Sequence, residues 1–252
     1  MARLISRKAE TMKRVFAKRA RGICAVAVSG ALALSAVAAD PPDQQTIQRQ
    51  DKKEEIRRKY PVEFEVNAAD APEMKDWLEK TARVCQQQYP MICEELKSDG
   101  FKPPRRVSMT LKKDYKGVAS TSGDKIVGSI RYFKAHPDDV GAMVHETVHV
   151  VQQYRGRDNP GWLVEGIADY IRFFKYEPGK IGRFDPERVR YDGSYRQSAA
   201  FLAYLTDKYD KKLVHKINAV MREGKYKEEI FKKLTGKTVQ DLGAEWKASL
   251  RR

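Results

Sequence analysis

The 252 residues exceed one average domain without requiring two, and 49 lysines and arginines stand against 34 acids, a formal net charge of +15. The basic residues are scattered through nearly every segment and no nucleic-acid motif accompanies them, so a solubilising mixed surface is the main reading of the charge. No repeat or low-complexity array appears, which excludes repeat architectures; the excess charge also favours anionic partners such as cell-wall or envelope polymers.

Residues 1–39 have the pattern of a cleavable signal peptide. An apolar run from Ile23 to Ala39 follows Arg14, Lys18, Arg19 and Arg21, and ends in an Ala36-Val37-Ala38 cleavage signal. The run is too short for a comfortable membrane span, so the expected location is secreted or periplasmic. Its removal takes away eight basic residues and one acid, +7 of the +15, and leaves a mature chain near +8. Residues 40–59 are polar and charged and predict a flexible leader, with one folded domain over 60–252.

Val62, Phe64 and Val66 alternate with polar residues and predict a strand. A helix is predicted over Pro72–Gln88 from the spacing of Met74, Trp77, Leu78, Thr81 and Val84, with Asp70 as cap and Pro90 beyond its end. Cys85 and Cys93 flank the expected break at Tyr89-Pro90 and are candidates for a disulfide, with two buried thiols as the alternative. From Arg106 to Phe133 the pattern is that of strands: Val107, Met109 and Leu111 alternate, then Gly117–Thr121 and Lys125–Tyr132 follow around Ser122-Gly123-Asp124, a small meander.

The chemistry is concentrated between Val144 and Tyr170. His136 reads as a loop or cap residue before a helix that Val140, Met143, Val144, Thr147, Val148 and Val151 bury as a central element. On that helix His145-Glu146-Thr147-Val148-His149 is an H-E-x-x-H motif. Positions i and i+4 share a face, so His145 and His149 can hold one metal ion while Glu146 serves as general base; zinc is the default metal, one per chain. Two of only four histidines stand here among valines, where an unliganded imidazole pair would be an awkward core component. Gln152 and Tyr154 line the cleft or pack beside it. The best candidate for the third ligand is Glu165, on a second helix predicted after the turn from Arg155 to Pro160, with Asn159 as N-cap and Pro160 as first residue. Asp169, one turn on, can hold a ligand histidine by its other nitrogen.

That helix continues through Phe173 towards Pro178-Gly179; a charged loop, Lys180–Asp192, and a helix over Tyr195–Tyr209 follow. Hydrolysis at such a site needs a donor to the developing oxyanion. Tyr195 is the first candidate and Tyr191 the second, with aromatic anchoring of the core as the other reading. His215 reads as a surface or capping residue rather than a donor. The tail predicts two short amphipathic helices around Leu234-Thr235-Gly236-Lys237-Thr238, with Ile230, Phe231, Leu234, Leu242 and Trp246 in the core. The fold expected is α+β: a small sheet packed on the metal helix over 60–155, a helical half over 156–252, and the cleft between them.

H-E-T-V-H-V-V-Q-Q-Y, then G-W-L-V-E-G-I-A-D-Y-I-R, then Y-R-Q-S-A-A-F-L-A-Y-L and L-T-G-K-T-V-Q-D-L-G-A-E-W together resemble the basic secretory protein family. These are zinc peptidases of plants and bacteria similar to the gluzincins, and the resemblance covers Val107 to the C-terminus. It implies a zincin-like fold, with His145, His149 and Glu165 as zinc ligands, Glu146 as general base and Asp169 as the histidine's partner. It also implies an exposed edge strand beside the metal helix that pairs with an extended substrate, to be sought at Lys125–Ile130, with an ordinary sheet whose edge is covered as the equal alternative. The function expected is that of an exported zinc metallopeptidase, endopeptidase or aminopeptidase, acting on peptides or proteins. The alternative is a non-catalytic envelope-binding protein with a structural metal site.

Overall fold

The computed structural model describes residues 44–154 and 158–251; the expected signal peptide and the Arg155-Gly156-Arg157 portion of the turn lie outside them. Residues 40–59, expected as a flexible leader, are instead helical over α1 (Gln44–Lys59), which has no buried residue. Polarity alone undervalues this segment, because Gln, Glu, Lys and Arg are good helix formers even where nothing is buried. At its end Tyr60 is buried and donates to Glu94 (3.0 Å), the carboxylate that also pairs with Lys59 at 3.3 Å.

The chain is α+β. Four strands, β1 (Glu63–Asn67), β2 (Arg106–Lys112), β3 (Ala119–Ser122) and β4 (Lys125–Ser129), form a sheet in the order β1-β2-β4-β3. β1 and β4 both run parallel to β2, and β3 is antiparallel to β4, so the expected meander is corrected. The hairpin at Ser122-Gly123-Asp124 is as expected, with Gly123 at φ +62°, but it turns back on the outer side and leaves β4, not β3, beside β2. The predicted last strand also stops early. Ser129 accepts from the Tyr132 backbone (3.3 Å) and starts α3 (Ile130–Ala135), whose C-cap is His136.

A short turn, Pro72–Met74, leads into α2 (Lys75–Glu95), which runs through Pro90 instead of ending before it. The missing N–H of Pro90 removes one helical hydrogen bond, and burial of Tyr89, Pro90, Ile92 and Cys93 offsets that loss. Cys85 and Cys93 are therefore on one helix, eight positions and about 12 Å apart along its axis. They are free, buried thiols, beyond disulfide reach. Burial pushes both up to about 12, far from a reactive thiolate. Asp70 does not cap the helix; it accepts from the Lys113 backbone (3.4 Å).

The metal helix expected from the sequence is α4 (Val140–Gln152), and eleven of its thirteen residues are buried. Asp139 caps it by accepting from Ala142 N–H (3.3 Å) and is held by Tyr132 Oη (2.7 Å) and Arg172 (2.6 Å). At the opposite end Arg222, the last residue of α7 (Leu213–Arg222), donates to the carbonyls of Val151 (3.0 Å), Gln152 (3.1 Å) and Leu96 (2.7 Å). It thus sits at the negative ends of both α4 and α2, 3.6 Å over the Phe101 ring. Burial lowers its pKa to about 10. Helices α2 and α4 cover the sheet, α2 against β1 and β2, α4 against β3 and β4.

Helix α5 (Gly161–Ile171) continues as one π-turn over Arg172–Tyr176. Its N-cap is Pro160. Asn159, expected in that role, donates its amide to Met221 O (3.0 Å) and so ties the start of α5 to α7. α5 packs on α6 (Tyr195–Lys208) at very short range: a Cβ on Gly166 would lie 2.7 Å from that of Ser198, so no larger residue fits without parting the helices. The two tail helices, α8 (Ile230–Thr235) and α9 (Val239–Ser249), stand where expected and bury Phe231, Leu242 and Trp246.

Candidate metal centre

α4 presents His145 and His149 on one face, one turn apart, and their Nε2 atoms are 3.0 Å from each other. α5 brings Glu165 against both: its Oε2 is 3.1 Å from His145 Nε2 and 3.3 Å from His149 Nε2. One ligand atom from each of the three lies within 4.8 Å of the others, the cluster expected from the sequence.

The other ring nitrogens settle what that cluster can accept. His145 Nδ1 meets the buried Asp169 carboxylate at 2.7 Å, so this nitrogen donates. His149 Nδ1 meets Gln152 Oε1 at 2.7 Å. The amide of Gln152 is committed, because its Nε2 donates to Val164 O (2.9 Å); the oxygen must face the ring, and His149 Nδ1 donates as well. With protons on both Nδ1 atoms, the two Nε2 lone pairs point at each other and at a carboxylate. Three acceptors within 3.3 Å with no donor between them require a cation.

In the metal-free protein a proton supplies it. Burial alone would lower the His145 pKa, but the hydrogen bonds to Asp169 and Glu165 outweigh it and raise it to about 9. Burial likewise would raise Glu165, yet the two histidines pull it down to about 2. A metal ion must displace the His145 proton, so its apparent affinity should climb about tenfold per pH unit as pH rises towards about 9 and level off above it. Competition against a chromophoric chelator measures this, and a flat profile would contradict the assignment.

Glu146 stands beside the cluster, buried, and is not one of its members. Thr121 Oγ1 donates to its carboxylate (2.7 Å) and lies 2.9 Å from its backbone carbonyl. Thr121 belongs to β3, the terminal strand next to α4, whereas β4 is interior, between β2 and β3. The edge expected at Lys125–Ile130 is therefore Ala119–Ser122. The pairing order decided this, and no local pattern carries it.

The family model BSP, peptidase of plants and bacteria, matches residues 47–246. The chain belongs to the basic secretory protein family. The match reaches well upstream of the motifs, to within α1. No curated protein matches the chain, and no solved structure does.

Of the two candidate tyrosines in this BSP chain, only Tyr195 reaches the cluster. Its ring stacks over His145 with centroids 6.1 Å apart and planes at 25°, while more than half of the residue stays exposed. A strained turn delivers it. Ser194 and Tyr195 both have positive φ, 61° and 46°, a conformation that costs non-glycine residues roughly 1–2 kcal/mol each and gathers at functional sites. The charge of Glu165, then burial, then Asp169 and Glu146 raise the Tyr195 pKa, which keeps its hydroxyl a donor. Tyr191 packs against Trp162 (5.5 Å) and Phe201 (5.4 Å), the aromatic-anchor reading.

Neither remaining histidine joins the site. His136 stacks on Tyr132 (4.4 Å), and His215 lines a depression with Lys59, Phe101 and Arg105. Tyr154 donates to Asn218 Oδ1 (3.0 Å) and packs rather than lines the cleft. Sequence reasoning left Gln152 ambiguous and missed Thr121. Gln152 had a local signal, since it lies three residues after His149 on the same helix face. Thr121 had none.

Proposed function

We propose that this chain is an exported zinc-dependent peptidase of the family to which it belongs. The observation that carries the reading is the convergence of three acceptor atoms on one point, with both imidazoles oriented from behind and an uncoordinated carboxylate alongside. His145, His149 and Glu165 would hold the metal. Two imidazoles and one carboxylate are a zinc donor set that leaves a coordination position open. Zinc, when bound, supplies Lewis acidity towards a carbonyl and makes a water molecule acidic near neutral pH.

The rest of the chemistry belongs to the chain. Glu146 takes the proton of the attacking water and delivers it to the leaving amine, with Thr121 holding its carboxylate in place. Tyr195 donates to the oxygen on which negative charge develops. The free edge of β3 can pair with an extended peptide, which places the substrate's backbone beside Glu146. Export rests on the basic and apolar pattern of residues 1–39.

Elemental analysis of the folded protein tests the centre. About one zinc per chain is expected, and Glu165→Ala should lose affinity by more than the roughly 10–100-fold that follows loss of an outer partner. A well-folded wild type that takes up no zinc when zinc is supplied would refute the reading and favour a non-catalytic binding protein.

A further inference from the structure

Two adjoining open depressions, of about 430 and 460 Å³, share Tyr60 and Pro61, where α1 gives way to β1. Neither is lined by a residue of the metal centre. One is lined by Lys59, Lys97, Lys102, Arg105 and His215, the other by Arg57 and Arg83 with Gln86 and Gln87. The only acid in either lining is Asp99.

Some surface cations elsewhere are matched closely. Lys208 and Lys237 close on Glu245, Lys216 on Asp210 and Lys211 on Asp207. Here they are not. Lys102, Arg105 and Arg57 are exposed and have no ion-pair partner among the described residues, while Lys59 and Lys97 share the single carboxylate of Glu94. Arg83 reaches Glu79 only at 3.9 Å. Even with Glu79 and Glu94 counted, six lysines and arginines face three acids. Folding gains nothing from this self-repulsion, whereas an anionic ligand removes it.

The trough extends to both sides of the Tyr60-Pro61 corner, so its charges suit a ligand that repeats its negative groups along a chain. Its aromatic residues do not offer a stacking face: Tyr60 is buried with its hydroxyl on Glu94, and Phe101 is covered by Arg222. Nucleic acids bound without sequence preference rely on such faces. The large exposed hydrophobics among the described residues, Ile47, Val118 and Tyr195, all lie outside the lining, so nothing there enters a lipid surface. What remains is cations beside the Gln86 and Gln87 side chains, partners for carboxylates and hydroxyls. We propose that the trough around Tyr60-Pro61 binds a carboxylated polysaccharide, which would hold the chain on an acidic polymer while leaving the metal centre free.

The test is equilibrium binding of the full chain to polygalacturonate, with dextran as the neutral comparison and a single-stranded oligonucleotide and phosphatidylserine vesicles as the other polyanions. Binding to polygalacturonate alone, weakening as salt rises, is expected. Lys102→Glu/Arg105→Glu should weaken it by about tenfold or more, and Lys102→Ala/Arg105→Ala by less. Lys232→Glu/Lys233→Glu, an equal change of charge on α8, should stay within about twofold of wild type. Equal losses in both charge-reversed proteins would reduce the effect to net charge and overturn the site. Absence of polygalacturonate binding, or tighter binding of the oligonucleotide or the vesicles, would overturn it as well.

Discussion

Replacement of Glu146 by glutamine should leave zinc bound and slow peptide cleavage by roughly 10²–10⁴-fold, the range for loss of a positioned general base. Glutamine matches glutamate in size and still offers Thr121 an oxygen where the carboxylate now receives its hydroxyl at 2.7 Å. What it lacks is the ability to take a proton. Because Glu146 stands outside the cluster of His145, His149 and Glu165, metal content and turnover should separate in this variant. Zinc analysis and kcat/KM on one preparation make the comparison. A wild-type rate at full occupancy would remove Glu146 from the mechanism, and loss of zinc together with activity would make it a ligand instead.

Tyr195→Phe is the second large effect, about 10²–10³-fold in kcat, the size found when an oxyanion donor is removed. The ring stacked on His145 stays, and only the hydroxyl goes. Since Tyr195 is mostly exposed, stability should move by no more than about 0.5 kcal/mol. KM should change little, because the hydroxyl matters most once charge has developed on the substrate oxygen. Tyr191→Phe, in the Trp162–Phe201 cluster, is the control and should leave kcat near wild type. Unchanged kcat in Tyr195→Phe would assign the oxyanion to another donor and leave the left-handed turn at Ser194 and Tyr195 without a catalytic reason.

The cluster of His145, His149 and Glu165 was legible because its rule is local. An i, i+4 pair of histidines on an apolar helix, and a glutamate and aspartate one turn apart on the next, each follow from helical periodicity alone. Those positions met in space as the spacing implied, Asp169 included. The α+β class was legible for the same reason, since strand and helix periods differ.

The failures share a different physical cause. Whether Cys85 and Cys93 could meet depended on whether Pro90 broke α2, and the burial of the surrounding residues outweighed the lost hydrogen bond. The polar segment at α1 became a helix on backbone propensity, with no apolar face to announce it. Strand order was beyond any local reading: alternation marks β1 and β2, the turn at Ser122-Gly123-Asp124 marks β3 and β4, and neither says which pairs with which.

That order has a functional consequence, because it makes Ala119–Ser122 the edge and hangs Glu146 on Thr121. Arg222, closing the ends of α2 and α4 from 70 positions beyond Gln152, is likewise a product of packing. Residues on one helix are placed by a fixed rise and rotation, so their mutual geometry can be computed from spacing. Residues brought together from separate elements are placed by how those elements bury their apolar faces, a property of the whole core that no window of sequence contains.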